Sequence, residues 1–177
     1  MTDGYRGVFG AFPYAFRASD SWLFRSYVVA GALAAAFLAF AFILAVVVVF
    51  GQTTGMRGGS LTLSRSFVAL VGLLSVLPVV APVLLVARAR RRGAVESSTY
   101  DALLAVGGYA FLLSLYLTAI ASMPETFVLD GETVTRPPAS GLFAPVLSLL
   151  YAIPPAASPL VTLPSVGFMA TVQRYFG

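Results

Sequence analysis

Cysteine, histidine and lysine are all absent from this chain of 177 residues. Without cysteine there are no disulfides, thiol nucleophiles or iron–sulfur clusters. Without histidine there is no imidazole acid–base catalysis, no His-ligated haem and few routes to a zinc site. Charge is scarce too: 10% of residues are charged and 59% are hydrophobic, whereas an ordinary soluble domain carries roughly 25% charged residues. Eleven cations and seven carboxylates are too few to clothe a soluble fold of this size. The polar residues also gather in blocks between long apolar stretches, which predicts an integral membrane protein of one domain, or at most two small ones.

Every cation is an arginine, which fits the codon usage of a GC-rich genome. The net charge is +4 and the isoelectric point about 9.8. Because the arginines flank apolar stretches, this balance points to membrane orientation and anionic lipid, with no nucleic-acid partner expected.

Hydropathy predicts spans at about 26–50, 66–87 and 102–123. The first, at 1.5 Å per residue, is roughly 37 Å long and crosses a ~30 Å hydrocarbon core with some tilt. It is too long for the ~7–15-residue apolar region of a signal peptide and reads as a retained helix. Ser98 or Thr99 is the expected cap of the third span, with Asp101 in its first turn, and Pro124 ends it. The apolar stretch 141–173 carries Pro145, Pro154, Pro155, Pro159 and Pro164, too many for one regular helix. A fourth span over 142–163, broken near Pro154 and Pro155, with an interfacial segment over 164–177, is the expected arrangement. A re-entrant pair of half-helices is the alternative.

The fold class predicted is therefore all-α: a four-transmembrane-helix bundle with a Pro-broken fourth span. Residues 1–25 form a cytoplasmic or interfacial segment and residues 26–163 the membrane domain. Within the last polar loop, two short alternating runs flank Asp130-Gly131, the pair favoured in a type I′ turn, so a short extracellular β-hairpin is expected over 126–135, lying on the bundle and stabilised by it. Eight of the eleven arginines fall in the N-terminal segment, the second loop and the tail, so the positive-inside rule places both termini in the cytoplasm of a multi-pass protein of the cell membrane. In the first 25 residues Phe9, Phe12, Tyr14, Phe16, Trp22 and Phe24 interleave with arginines, a mixture suited to the headgroup region, and Ser19 or Asp20 is positioned to cap the helix that follows.

The run Phe12-Pro13-Tyr14-Ala15-Phe16-Arg17-Ala18-Ser19-Asp20-Ser21-Trp22-Leu23, followed by a Gly/Ala-rich span, resembles the opening of small polytopic membrane proteins of archaea, uncharacterised families common in halophiles. The resemblance covers about 30 residues at the N-terminus. It implies a multi-pass protein and carries over no catalytic residues.

Three constellations stand out. Arg88, Arg90, Arg91 and Arg92 follow the second span directly and are candidates for contact with anionic headgroups on the cytoplasmic side. The plainer account is a topology anchor that also neutralises the carbonyl end of the helix. Ala30, Ala34, Ala41 and Ala45 share one helical face, a candidate packing surface for a neighbouring span or a second protomer, and Gly107-Gly108 offers a close-approach partner for that stripe. Pro154 and Pro155 leave the carbonyls of Leu150 and Tyr151 without helix donors, so Leu150, Tyr151 and Ser158 outline a candidate broken-helix site. The plainer account there is a kink satisfied by a hydroxyl or water.

Chemistry for catalysis is missing. No carboxylate lies inside an apolar span, and Glu96 and Asp101 are cytoplasmic carboxylates with no motif partner. No Walker loop, Gly-x-Ser-x-Gly or paired metal-ligand spacing occurs. The chain is expected to be no enzyme and to bind neither cofactor nor metal. The expected role is structural or interactive, assembling with itself or with a larger membrane complex, its partners being membrane lipids and other membrane proteins. The alternative is a transporter or channel component using the broken fourth span.

Overall fold

The computed structural model describes residues 7–52, 59–93, 97–129 and 131–177. The chain forms α1 (Gly7–Ala18), α2 (Trp22–Gln52), α3 (Gly59–Arg92), α4 (Ser98–Ala121), β1 (Thr126–Leu129), β2 (Glu132–Thr135), α5 (Ala144–Tyr151), a 3₁₀ segment (Pro155–Thr162) and α6 (Leu163–Phe176). Four helical stretches are long and apolar enough to cross a membrane: Trp22–Gly51, Ser66–Arg92, Ser98–Ala121 and Pro155–Phe176. Four such rods are compatible with a multi-pass membrane protein.

α4 is the hub, packing against α2, α3, α5, the 3₁₀ segment and α6, while α1 lies across α3 and α2. Ala11 and Ala15 of α1 are fully buried and join a core built from Phe24 and Tyr27 of α2, Val79, Val83 and Val86 of α3, Leu104 and Phe111 of α4, and Met169 of α6. Further along α2 other large apolar side chains point the opposite way: Leu33, Phe37, Phe40, Ile43 and Val47 are all at least 60% exposed. Its inner face instead presents Gly31 and half-buried Ala34 and Ala35. A long helix that is apolar all round, with a row of large side chains left outward, is compatible with a membrane span.

Local chemistry explains where the elements begin and end. Ser21 Oγ accepts the Phe24 N–H at 3.3 Å in the first turn of α2, so Ser21 takes the capping position expected of Ser19 or Asp20. Ser97, one residue before Ser98, caps α4 by accepting the Thr99 N–H at 3.2 Å. Gly93, at φ +63°, ends α3 in the left-handed conformation that glycine adopts without strain. α3 continues as a helix through Pro78 and Pro82.

The C-terminal third departs from expectation. Rather than a broken span over 142–163, the long apolar rod is Pro155–Phe176, formed by the 3₁₀ segment running directly into α6, and α5 is a separate helix of eight residues. Pro145, Pro155 and Pro164 each occupy the first or second position of an element, where a missing N–H leaves no hydrogen bond unmade. They open helices as well as interrupting the chain.

The hairpin forms in the expected register, pairing Thr126 with Thr135, Phe127 with Val134, Val128 with Thr133 and Leu129 with Glu132. Gly131 has φ +87°; Asp130 lies outside the described residues. Among the described residues neither strand packs on a helix, so the hairpin projects instead of lying on the bundle. Arg136 secures its base: the backbone N–H donates to Glu125 O at 3.0 Å, Nη1 donates to Met123 O at 3.2 Å, and the guanidinium sits 4.1 Å from the centre of the Tyr151 ring.

Candidate functional site

The end of α1 and the start of α2 meet the C-terminal ends of α3 and α6 and the first turn of α4 at one end of the bundle. There the packing of α3 against α4 brings Arg90 and Asp101 together. Asp101 is fully buried. Its Oδ2 accepts from Arg90 Nη2 at 2.7 Å and from Ser19 Oγ at 2.6 Å, so one carboxylate oxygen ties α4 to both α3 and the end of α1. Asp101 Oδ1 and Arg90 Nε are buried with no hydrogen-bond partner among the described residues. Around them, Arg25 Nε donates to Ser19 O at 2.7 Å, and Tyr100 donates its phenol to Gln173 Oε1 at 2.6 Å, fastening α6 beside the same turn.

Asp101 stands in the first turn of α4, where the sequence places it. Read there as a carboxylate with no motif partner, it is the buried centre of this polar cluster. The available signal was its position in the first turn of a helix whose antiparallel neighbour ends in arginines. What that signal lacks is the rotation of the two helices about their axes.

The arginine cluster divides accordingly. Arg90 turns inward, its side chain 12% exposed, toward Asp101. Arg88, Arg91 and Arg92 stay exposed. Surface arginines can form charge-assisted, often bidentate hydrogen bonds to a phosphate, whereas Arg90 is already committed to a carboxylate.

Deeper in the bundle, polar atoms also link helices. Tyr27 donates its phenol to Val79 O at 2.6 Å, within the turn of α3 bracketed by Pro78 and Pro82. Ser26 Oγ and Tyr109 Oη lie 2.9 Å apart, and the Tyr27 and Tyr109 rings meet edge to face at 5.1 Å. Gly108 makes room for this: a Cβ there would come within 2.2 Å of the Tyr27 ring. Gly107 is covered by Met169 of α6. The glycine pair therefore receives a tyrosine and a methionine, not the alanine stripe. Ala30, Ala34, Ala41 and Ala45 are all half-buried, and Ala34 packs against the core.

The three residues of the broken-helix candidate have separate partners. Leu150 is buried, and its carbonyl accepts the Ile153 N–H at 3.1 Å in a tightened last turn. Tyr151 lies under the Arg136 guanidinium. Ser158 is buried and donates to Pro155 O at 2.8 Å. Among the described residues no three carboxylate, histidine or cysteine side chains gather as metal ligands would.

No curated protein and no solved structure matches the chain significantly. A family model described as Domain of unknown function (DUF8056) matches residues 1–177, the whole chain, and the protein belongs to that family.

Proposed function

We propose that this chain is a multi-pass protein of the cell membrane with a structural or interaction role, assembling with itself or with a larger membrane complex and keeping both termini in the cytoplasm. One observation carries the reading: the interior polar groups are used to fasten helices to one another. The Asp101 carboxylate joins α1, α3 and α4, and Tyr27 and Tyr100 each reach across to a different helix. Buried polar links of this kind fix the mutual arrangement of helices. The outward apolar face of α2 then offers surface to lipid or to a neighbouring protein. The projecting hairpin belongs on the extracellular side, and the arginine-rich end on the cytoplasmic side, by the positive-inside rule. The lysine-free composition and the N-terminal aromatic run support an archaeal, halophile-type source.

The transporter reading has weaker support, because the Leu150 carbonyl and Ser158 hydroxyl are already hydrogen-bonded. Solute flux in liposomes containing only this chain separates the two readings. For the assembly reading, the test is native-size determination in mild detergent together with crosslinking in cells. A dimer, or a complex with another membrane protein, is expected; a lone monomer with no crosslinked partner overturns it. Since the chain has no cysteine, single cysteines at Val8 and Tyr175, both exposed, report sidedness without background, and both are expected to label only from the cytoplasm.

A further inference from the structure

α3 and α6 both pack on α4 but touch each other little, leaving a groove of about 430 Å³ between them. That volume falls in the roughly 300–1,000 Å³ range of small-molecule clefts. Leu77, Ala81 and Leu85 form one wall, Val166 and Ala170 the other, and Met169 is also part of the lining. Gln173 is the one polar residue among those lining it, and its Oε1 already accepts from Tyr100.

Both walls run toward the arginine-rich end. On α3 the groove residues recur at 77, 81, 84 and 85, and helical spacing makes Arg88 the next residue on that face. On α6 the positions 166, 169, 170 and 173 lead to Arg174. Arg88 and Arg174 are both exposed. Asp101 does not offset them, being buried against Arg90; the described exposed carboxylate nearest this end, Asp20, lies on the α1–α2 connection. From Leu77 to Arg88 the helix rises roughly 17 Å, about half of a ~30 Å hydrocarbon core. The groove is therefore one leaflet deep, apolar along its length and cationic at its mouth.

We infer that the α3–α6 groove is a binding site for one anionic phospholipid of the cytoplasmic leaflet, its acyl chain lying along Leu77, Ala81 and Ala170 and its phosphodiester held by Arg88 and Arg174. This assignment rests on the membrane reading above and narrows the expected arginine–lipid contact: Arg88 and Arg174 make it, and Arg90 does not. Guanidinium groups give the phosphate charge-assisted hydrogen bonds, and the groove gives the chain a fixed apolar bed.

The test titrates phosphatidylglycerol or phosphatidylcholine with matched chains into the delipidated full-length protein in mild detergent, read by native mass spectrometry. One phosphatidylglycerol is expected to bind in preference to phosphatidylcholine. The preference falls roughly fivefold for each of Arg88→Gln and Arg174→Gln. Ala170→Phe, at an exposed position on the groove wall, fills the groove and abolishes binding of both lipids. Arg17→Gln removes the same charge beside the α1–α2 groove and leaves the preference intact. Glycerol phosphate, which has the anion and no chains, does not compete. Equal loss in Arg17→Gln and the two groove variants, unaltered binding in Ala170→Phe, or competition by glycerol phosphate overturns the site. Release of the wild-type chain from membranes by alkaline carbonate without detergent overturns the membrane reading itself, a separate outcome.

Discussion

Arg90 and Asp101 meet through one arm each, Nη2 to Oδ2 at 2.7 Å, while Arg90 Nε and Asp101 Oδ1 are buried with no partner among the described residues. The pair is thus a single-armed ion pair supported by a third group, the Ser19 hydroxyl. In a largely buried setting the charges need each other more than the fold needs the pair, because losing one strands its mate.

Asp101→Ala is accordingly expected to lower stability by about 3 kcal/mol, the lower end of the range for breaking a buried pair, since the Arg90 side chain keeps some access to solvent. The double variant Arg90→Met, Asp101→Leu removes both charges and is expected to recover most of that loss. Thermal unfolding in detergent measures both, and a double variant as unstable as the single one contradicts the account.

Gly108→Ala is expected to destabilise by about 1–3 kcal/mol, because the new methyl meets the face of a Tyr27 ring that is itself enclosed. Gly167→Ala is the control: that glycine sits in α6 with open space at its Cβ position, and gains up to ~1 kcal/mol from helix propensity. Opposite signs for the two substitutions in the same melting assay check the close approach of α2 and α4.

Tyr27→Phe removes one hydroxyl and leaves the Val79 carbonyl without that donor. A loss of about 1 kcal/mol is expected. Hydrogen exchange is expected to quicken in the turn of α3 containing Pro78 and Pro82, where a side chain of another helix supplies a donor, and to stay unchanged in α6.

Arg136→Ala removes the side-chain contacts of the hairpin base with Met123, Glu125 and Tyr151 and keeps the backbone bond to Glu125. Faster proteolysis between Pro124 and Ser140 is expected, with the melting temperature of the helices unchanged, since the strands do not pack on them. A parallel fall in melting temperature shows instead that the hairpin supports the bundle.

What was legible in the sequence follows from how local each signal is. The hairpin was readable because an Asp-Gly pair between alternating runs encodes its own turn. Three of the long apolar rods were readable because uncharged length is visible without knowing any neighbour. The C-terminal rod was displaced because proline was read only as a breaker, whereas Pro155 and Pro164 stand at element starts. Ser19 was read as a cap from its place before a helix, but its hydroxyl is directed to a carboxylate 82 residues away. The burial of Asp101 was unreadable for the same reason: it depends on how three helices are rotated relative to one another, and periodicity along one segment carries no such information.

The dependence of Asp101 on Arg90 also bears on biogenesis. On the membrane reading proposed above, the N-terminal turn of α4 is drawn away from water at low cost only once its negative charge is matched, and the matching group sits just 11 residues earlier in the chain. On that reading α3 and α4 are suited to insert as a pre-neutralised helical pair. Ser19, trailing α1, then completes the coordination of the same carboxylate oxygen, so the seating of α1 depends on the pair already being formed as it stands in the fold.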